Sequence, residues 1–351
     1  MINKSFKHQV SKINFAEIIK LSYKFLLIAS ISFMALNLCF LPNANAEGGK
    51  WVKKADMPTA KLSPTCTIDG KIYLVGGMAD TPNPLSILEE YDPTTEKWAK
   101  KADMPTPRGM LSAGVVNGKI YAFGGASPKT TSVTEEYDPV TDKWTKKADM
   151  PTARVFLSSG VVNGKIYVIG GVNESLTTLP TVEEYDPATD KWTKKADMPT
   201  ARALFSAIAT NGKIYCLGGL AKVGMKAHEQ PTKETFLSIV EEYDPATDKW
   251  TKKADMPTGR AGLSTCVIDG IIYAMGGQIA SGEKVILTER PVILPVMEKY
   301  DPATDIWTKM ADMPTARYAI STEVVNGKIY VFGGSEDAQK ACPKVEEYTP
   351  E

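Results

Sequence analysis

Asn163-Gly164-Lys165-Ile166-Tyr167-Val168-Ile169-Gly170-Gly171 decides how this chain folds. Asn-Gly supplies the two positive-φ residues of a tight hairpin turn. The β-branched and aromatic run from Lys165 to Ile169 predicts a strand, and the glycine pair ends it where side chains would crowd the backbone. Working outward, Leu157 to Val162 is the partner strand across the turn. A variable loop then leads to a third strand, Val182 to Tyr185. Asp186-Pro187-Ala188-Thr189-Asp190 makes the next turn, with Pro fixing φ and Asp side chains bonding nearby amides. A fourth strand, Trp192 to Met198, is closed by Pro199.

The same unit recurs at intervals of 46 to 58 residues. Glycine pairs stand at Gly76-Gly77, Gly124-Gly125, Gly170-Gly171, Gly218-Gly219, Gly276-Gly277 and Gly333-Gly334, and tryptophans at Trp51, Trp98, Trp144, Trp192, Trp250 and Trp307. Repeats of this length mean a stacked array or a propeller. Alternation that buries both sheet faces favours the propeller. So do the ends: the final unit stops after its third strand, at Glu346 to Pro350, while Trp51 to Met57 is an orphan fourth strand. Glycine pairs and tryptophans fall into register when that first strand completes the last blade. The expected units are approximately 59–104, 106–150, 152–198, 200–256, 258–313 and 315–351 plus 51–57, in a single domain 47–351.

The double glycine, a later Tyr and a Trp about seven residues beyond it, as in Gly170, Gly171, Tyr185 and Trp192, resemble the Kelch repeat. The resemblance covers residues 51–351. It implies an all-β, six-bladed Kelch-type β-propeller, four antiparallel strands per blade, with first strands lining the central channel and fourth strands outermost.

Residues 1–46 differ from the rest. Lys4, Lys7, Lys12, Lys20 and Lys24 precede an apolar run from Phe25 to Leu41 and then Pro42-Asn43-Ala44-Asn45-Ala46. These are the parts of a secretory signal, with cleavage expected between Ala46 and Glu47 and a secreted or periplasmic mature protein. The alternative is a retained anchor, which Asn37, Ser30 and Ser32 weaken. Without that segment the chain keeps 36 basic and 40 acidic residues, a net charge of −4, which gives no basis for nucleic-acid binding. With 43% hydrophobic and 23% charged residues, disorder is excluded as well. Cys66, Cys216, Cys266 and Cys342 have no metal-ligand spacing; the first three, inside strands, read as apolar filler. No metal or cofactor is expected.

Residues present in every copy are most simply explained by folding, so specificity belongs where copies differ. A ring of cations, Lys61, Arg108, Arg154, Arg202, Arg260 and Arg317, follows the Pro-Thr of each unit. It has the periodicity of Glu89, Glu135, Glu183, Glu241, Glu298 and Glu346, and pairing between the two sets is expected. The Asn-Gly and Asp-Pro turns share one face of the propeller; the variable connections share the other. There, blades 4 and 5 carry insertions, Leu220 to Val240 and Gln278 to Met297. They supply the candidate ligand-binding residues Lys226, His228, Glu229, Glu234, Glu283, Glu289 and Arg290, joined by Phe156, Phe205 and Tyr318 from the connections after the cations.

The resemblance also brings two enzymes into view. Galactose oxidase holds copper with histidines and tyrosines, whereas the expected mature chain has one histidine, His228, too few for that site. The exported N-acetylneuraminate epimerase works by Glu and Arg acid–base chemistry, which Glu289 with Arg290 or Glu229 near Arg202 could imitate. The favoured expectation is a monomeric binding module for a protein, peptide or glycan, with no nucleic acid partner and no membrane contact after cleavage. The alternatives are a sugar mutarotase of the epimerase kind and a component of an envelope or surface assembly.

Overall fold

The computed structural model describes residues 48–81, 83–221, 236–280 and 291–351. They form six four-stranded antiparallel sheets and one two-stranded ribbon. Blade 3 shows the pattern: Ser158–Val162, Lys165–Ile169, Val182–Asp186 and Lys191–Lys194, hydrogen-bonded in that order. The first strand of each blade contacts the first strands of both neighbouring blades, blade 6 against blade 1 included, so the ring is closed. Among the described residues no helix is long and apolar enough to cross a membrane.

Local sequence sets each piece as expected. Asn163 and Gly164 take φ of 51° and 72°, the left-handed pair that a tight hairpin needs. At Gly170, with φ of 61°, a Cβ would come within 2.7 Å of the Arg202 carbonyl oxygen. That same oxygen accepts a hydrogen bond from the Gly171 amide at 3.0 Å. The glycine pair therefore lets the end of one blade's second strand dock directly on the backbone of the next blade.

Closure takes place through the N-terminal segment. Gly49–Lys53 pairs antiparallel with Val345–Pro350, placing Trp51 opposite Tyr348. The fourth strands are shorter than the sequence suggests; in blade 3 the regular strand ends at Lys194. Beyond it, the Lys195 amide still donates to Val182 and the Met198 amide to Pro180. Between these two bonds the Ala196 amide donates to the next blade instead, to Asp248 Oδ1 at 2.9 Å.

The core lies between blades. Phe123, Met150, Leu157, Ile166, Val168, Tyr185 and Trp192 fill the gap between blades 2 and 3, and Met57, Ile72, Tyr91, Val325, Tyr330, Phe332 and Trp98 fill that between blades 6 and 1. Each cross-strand Tyr–Trp pair packs ring on ring, as Tyr185 and Trp192 do with centroids 4.9 Å apart. Cys66, Cys216, Cys266 and Cys342 are free and buried.

Candidate functional site

The conspicuous ring of cations belongs to the fold. Lys61, Arg108, Arg154, Arg202, Arg260 and Arg317 are buried, and each meets the glutamate expected for it. Arg154 is typical: it donates to Glu183 Oε2 at 2.7 Å, to the Thr181 carbonyl at 2.8 Å and to the Gly170 carbonyl at 3.2 Å. The other oxygen of Glu183 accepts from the Thr152 hydroxyl at 2.6 Å. The Thr of every Pro-Thr thus completes the pair, and although Nε of Arg108, Arg154, Arg260 and Arg317 has no partner, each guanidinium is fully buried. Burial lowers the Arg154 pKa to about 10, and the Glu183 charge opposes that shift, so the guanidinium stays charged at neutral pH.

A second repeated acid sits nearer the surface. Glu184 pairs with Lys165 at 2.7 Å and Lys195 at 3.6 Å, and equivalent glutamates pair with lysines in blades 1, 2 and 6. Blade 5 departs from this: Ile271, Lys299 and Met310 occupy the three positions, and Ile306, where other outer strands carry Lys, is 59% exposed. The turn face is therefore less uniform than the repeat suggests.

Neighbouring blades are latched by the Asp that closes the Asp-Pro turn in blades 2 to 5. Asp190 Oδ1 accepts from the Ala148 amide of the preceding blade at 2.9 Å and from its own blade's Tyr185 hydroxyl at 2.7 Å, while Trp192 Nε1 donates to the Ala148 carbonyl at 2.8 Å. Blades 2, 4 and 5 repeat this arrangement through Asp142, Asp248 and Asp305.

Phe156, Phe205 and Tyr318 occupy three different positions of the repeat. Phe205 is a core side chain between blades 3 and 4. Phe156, half-buried at φ 54°, belongs to a belt of backbone hydrogen bonds at the loop-face end of the channel. That belt runs from Met110 through Phe156, Leu204 and Gly262 to Ala319. Tyr318, also half-buried, pairs its backbone with Ser335. Lys226, His228, Glu229, Glu234, Glu283, Glu289 and Arg290 lie outside the described residues. The stems of their loops are defined: Leu220 bridges Phe236 in blade 4, and Gln278–Ile279 pairs with Val292–Ile293 as a short ribbon in blade 5.

The central channel encloses about 490 Å³ and is lined by the first strands. Its wall is rich in hydroxyls bonded from blade to blade, such as Ser112 with Ser159 at 2.8 Å and Ser206 with Thr265 at 2.8 Å. Among the described lining residues one is charged, Glu323. The Thr67 hydroxyl donates to its Oε2 at 2.8 Å. Burial pushes this carboxyl above the usual carboxylate range, and hydrogen bonds from Thr67 and Thr65 partly offset the rise. Burial also pushes up the thiols of Cys66 and Cys266, with the Glu323 charge adding to the effect. Sequence reasoning missed Glu323, although a signal existed. The residue three before each Asn or Asp of the hairpin turn reads Cys66, Gly114, Gly160, Ile208, Cys266 and Glu323.

The KLHDC2/KLHL20/DRC7 Kelch-repeats domain model matches residues 64–277 and 147–334. The chain belongs to the Kelch-repeat family. Among Kelch relatives, it is similar to Kelch-like ECH-associated protein 1B of Danio rerio, 32% identical over 99 residues, or 28% of this chain and 16% of that protein. Kelch-like protein terF of Aspergillus terreus is 37% identical over 100 residues, covering 28% of this chain and 20% of the relative. The matches thus span a fifth or less of these Kelch proteins' own length. The solved structure of YjhT shares the fold at a TM-score of 0.71 and 19% identity, over 84% of this chain and 97% of that one.

Proposed function

We propose that this protein is an exported Kelch-propeller interaction module that presents its loop face, around blades 4 and 5, to a protein, peptide or glycan. Kelch propellers typically serve as protein-interaction modules. The observation that carries the reading is where the repeat is used up. The repeated cations, acids and tryptophans serve ion pairs, latches and interblade packing, which leaves recognition to the positions where blades differ. On the loop face the largest difference is the pair of insertions on adjacent blades, one rising from the ribbon Gln278–Ile279 and Val292–Ile293. The ring that carries these loops is ordered beforehand, so binding pays no entropy to order the scaffold. In this reading residues 1–46 are a secretory signal, and the partner lies outside the cytoplasm.

The test is to shorten both insertions to the length of the blade 3 loop and compare the variant with the wild type. Retention on a glycan array and from an envelope or culture-supernatant extract is the readout. Loss of retained partners with an unchanged melting temperature is the expected result. Partners that survive the trimming place recognition elsewhere.

A further inference from the structure

We propose that the central channel binds a small organic cation, a protonated primary amine, with the Glu323 carboxylate as its counter-ion. The first observation is a contrast among this chain's own acids. Glu89, Glu135, Glu183, Glu241, Glu298 and Glu346 each have a buried cation within 3.0 Å. Among the described residues no Lys or Arg reaches Glu323; its partners are the hydroxyls of Thr67 and Thr65. A carboxylate removed from bulk water is retained when something cationic completes it. Here the described residues supply no cation, and the carboxyl sits in the wall of a cavity of about 490 Å³.

The cavity's chemistry selects the class of ligand. A primary ammonium has three N–H donors, so one can meet Glu323 while the others meet hydroxyl oxygens, which the wall holds at Ser321, Thr322 and Thr67. Val115, Val161, Ile208 and Val267 line the same space and offer apolar surface to an alkyl body. A divalent metal is a poorer match, since among the described residues no three His, Cys, Asp or Glu side chains come together to hold one. The loop-face rim near Glu323 carries small residues, Gly262, Ala319 and Ser63, where blades 2 to 4 carry Met110, Phe156 and Leu204. Among the described residues, the rim side chains are therefore smallest on the side where the acid lies.

Titration should follow the same acid. Facing Glu323 are Cys66 and Cys266 from the neighbouring first strands and Tyr330 opposite it in its own sheet. All three are held neutral far above pH 8 by burial and by nearby acids. Binding then requires only that Glu323 give up its proton, so affinity rises with pH.

Calorimetric titration of the mature propeller with n-butylammonium, n-butanol and sodium ion at equal ionic strength tests this. The wild type is expected to bind butylammonium at pH 8, at least tenfold more weakly at pH 5, and to bind neither butanol nor sodium at the same concentration. Glu323→Gln is expected to weaken the amine at least tenfold at pH 8. Equal binding of amine and alcohol, no amine binding at millimolar concentration, or equal affinity in Glu323→Gln overturns the proposal. The first two outcomes are read on the wild type alone, so they hold whatever the variant's stability. Binding that survives trimming of the blade 4 and 5 loops separates this site from the loop-face reading.

Discussion

Trp51 packs on Tyr348 with ring centroids 4.9 Å apart, joining the first described strand to the last. Their strands pair from Gly49↔Pro350 to Lys53↔Glu346, so Val345–Pro350 would be an open sheet edge without Gly49–Lys53. An open edge exposes a row of unpaired backbone groups. Trp51→Ala is expected to cost about 2 to 4 kcal/mol, just under the range for a fully buried aromatic because one side of the indole stays exposed. Removing residues 48–53 should cost more and promote association through the freed edge. Thermal unfolding with light scattering checks both; an unchanged melting temperature in the truncated chain would refute closure by this strand.

The seam where the ring closes lacks the regular latches. In blade 1 Glu96 stands where other blades have Asp, and it turns to Lys54 at 2.8 Å rather than back to its own blade. The Tyr91 hydroxyl and Trp98 Nε1 are left buried without partners, as is Trp51 Nε1 on the other side of blade 6. An unmet buried polar group costs about 1 to 3 kcal/mol, more than a half-exposed ion pair returns. Glu96→Asp is thus expected to stabilise the protein by about 1 kcal/mol, while Asp190→Ala, which removes a working latch, should destabilise it by about 2 kcal/mol. Amide hydrogen exchange should show Gly49–Lys53 and Val345–Pro350 opening before the strands of blade 3.

The buried ion pairs make a different claim about energy. Arg154→Met strands the Glu183 carboxylate among apolar groups, and the expected loss is about 3 to 5 kcal/mol in urea unfolding. Adding Glu183→Leu removes the stranded charge and should recover most of that loss. If the double variant is as unstable as the single, the stabilisation lies in the arginine's bonds to the carbonyls of Gly170 and Thr181 instead.

How far the sequence could be read depended on periodicity. The place of Trp51 in the last blade and the pairing of Arg154 with Glu183 both follow from counting identical copies. The end of each outer strand was not legible: whether Lys195 to Met198 stays in its own sheet depends on Asp248 of the next blade, a contact that no local pattern encodes. Phe205, like Phe156 and Tyr318, follows a cation of the ring, yet one residue of shift relative to Phe156 turns its ring into the core. Glu323 was hidden for a related reason. Loops draw attention because they change length, whereas Glu323 changes only one side chain within an unbroken strand.

That side chain makes a stability claim of its own. The folded pKa of Glu323 is raised above its unfolded value. The stability its neutral form contributes is therefore fully present below the unfolded pKa and is lost as pH rises through the folded one. Glu136, Glu184 and Glu347 behave oppositely: lysine and tyrosine partners lower their pKa values, so their contribution is lost as pH falls. Glu323→Gln keeps an acceptor for Thr67 but cannot ionise. It is expected to melt above the wild type at pH 8, with the difference closing toward pH 4, where the wild-type carboxyl is neutral. A saturating amine at pH 8 should raise the wild type alone and so narrow the same gap from the other side. A gap that stays constant from pH 4 to 8 would show that Glu323 is not charged in the channel at neutral pH, and its role would reduce to a hydrogen bond between blades 6 and 1.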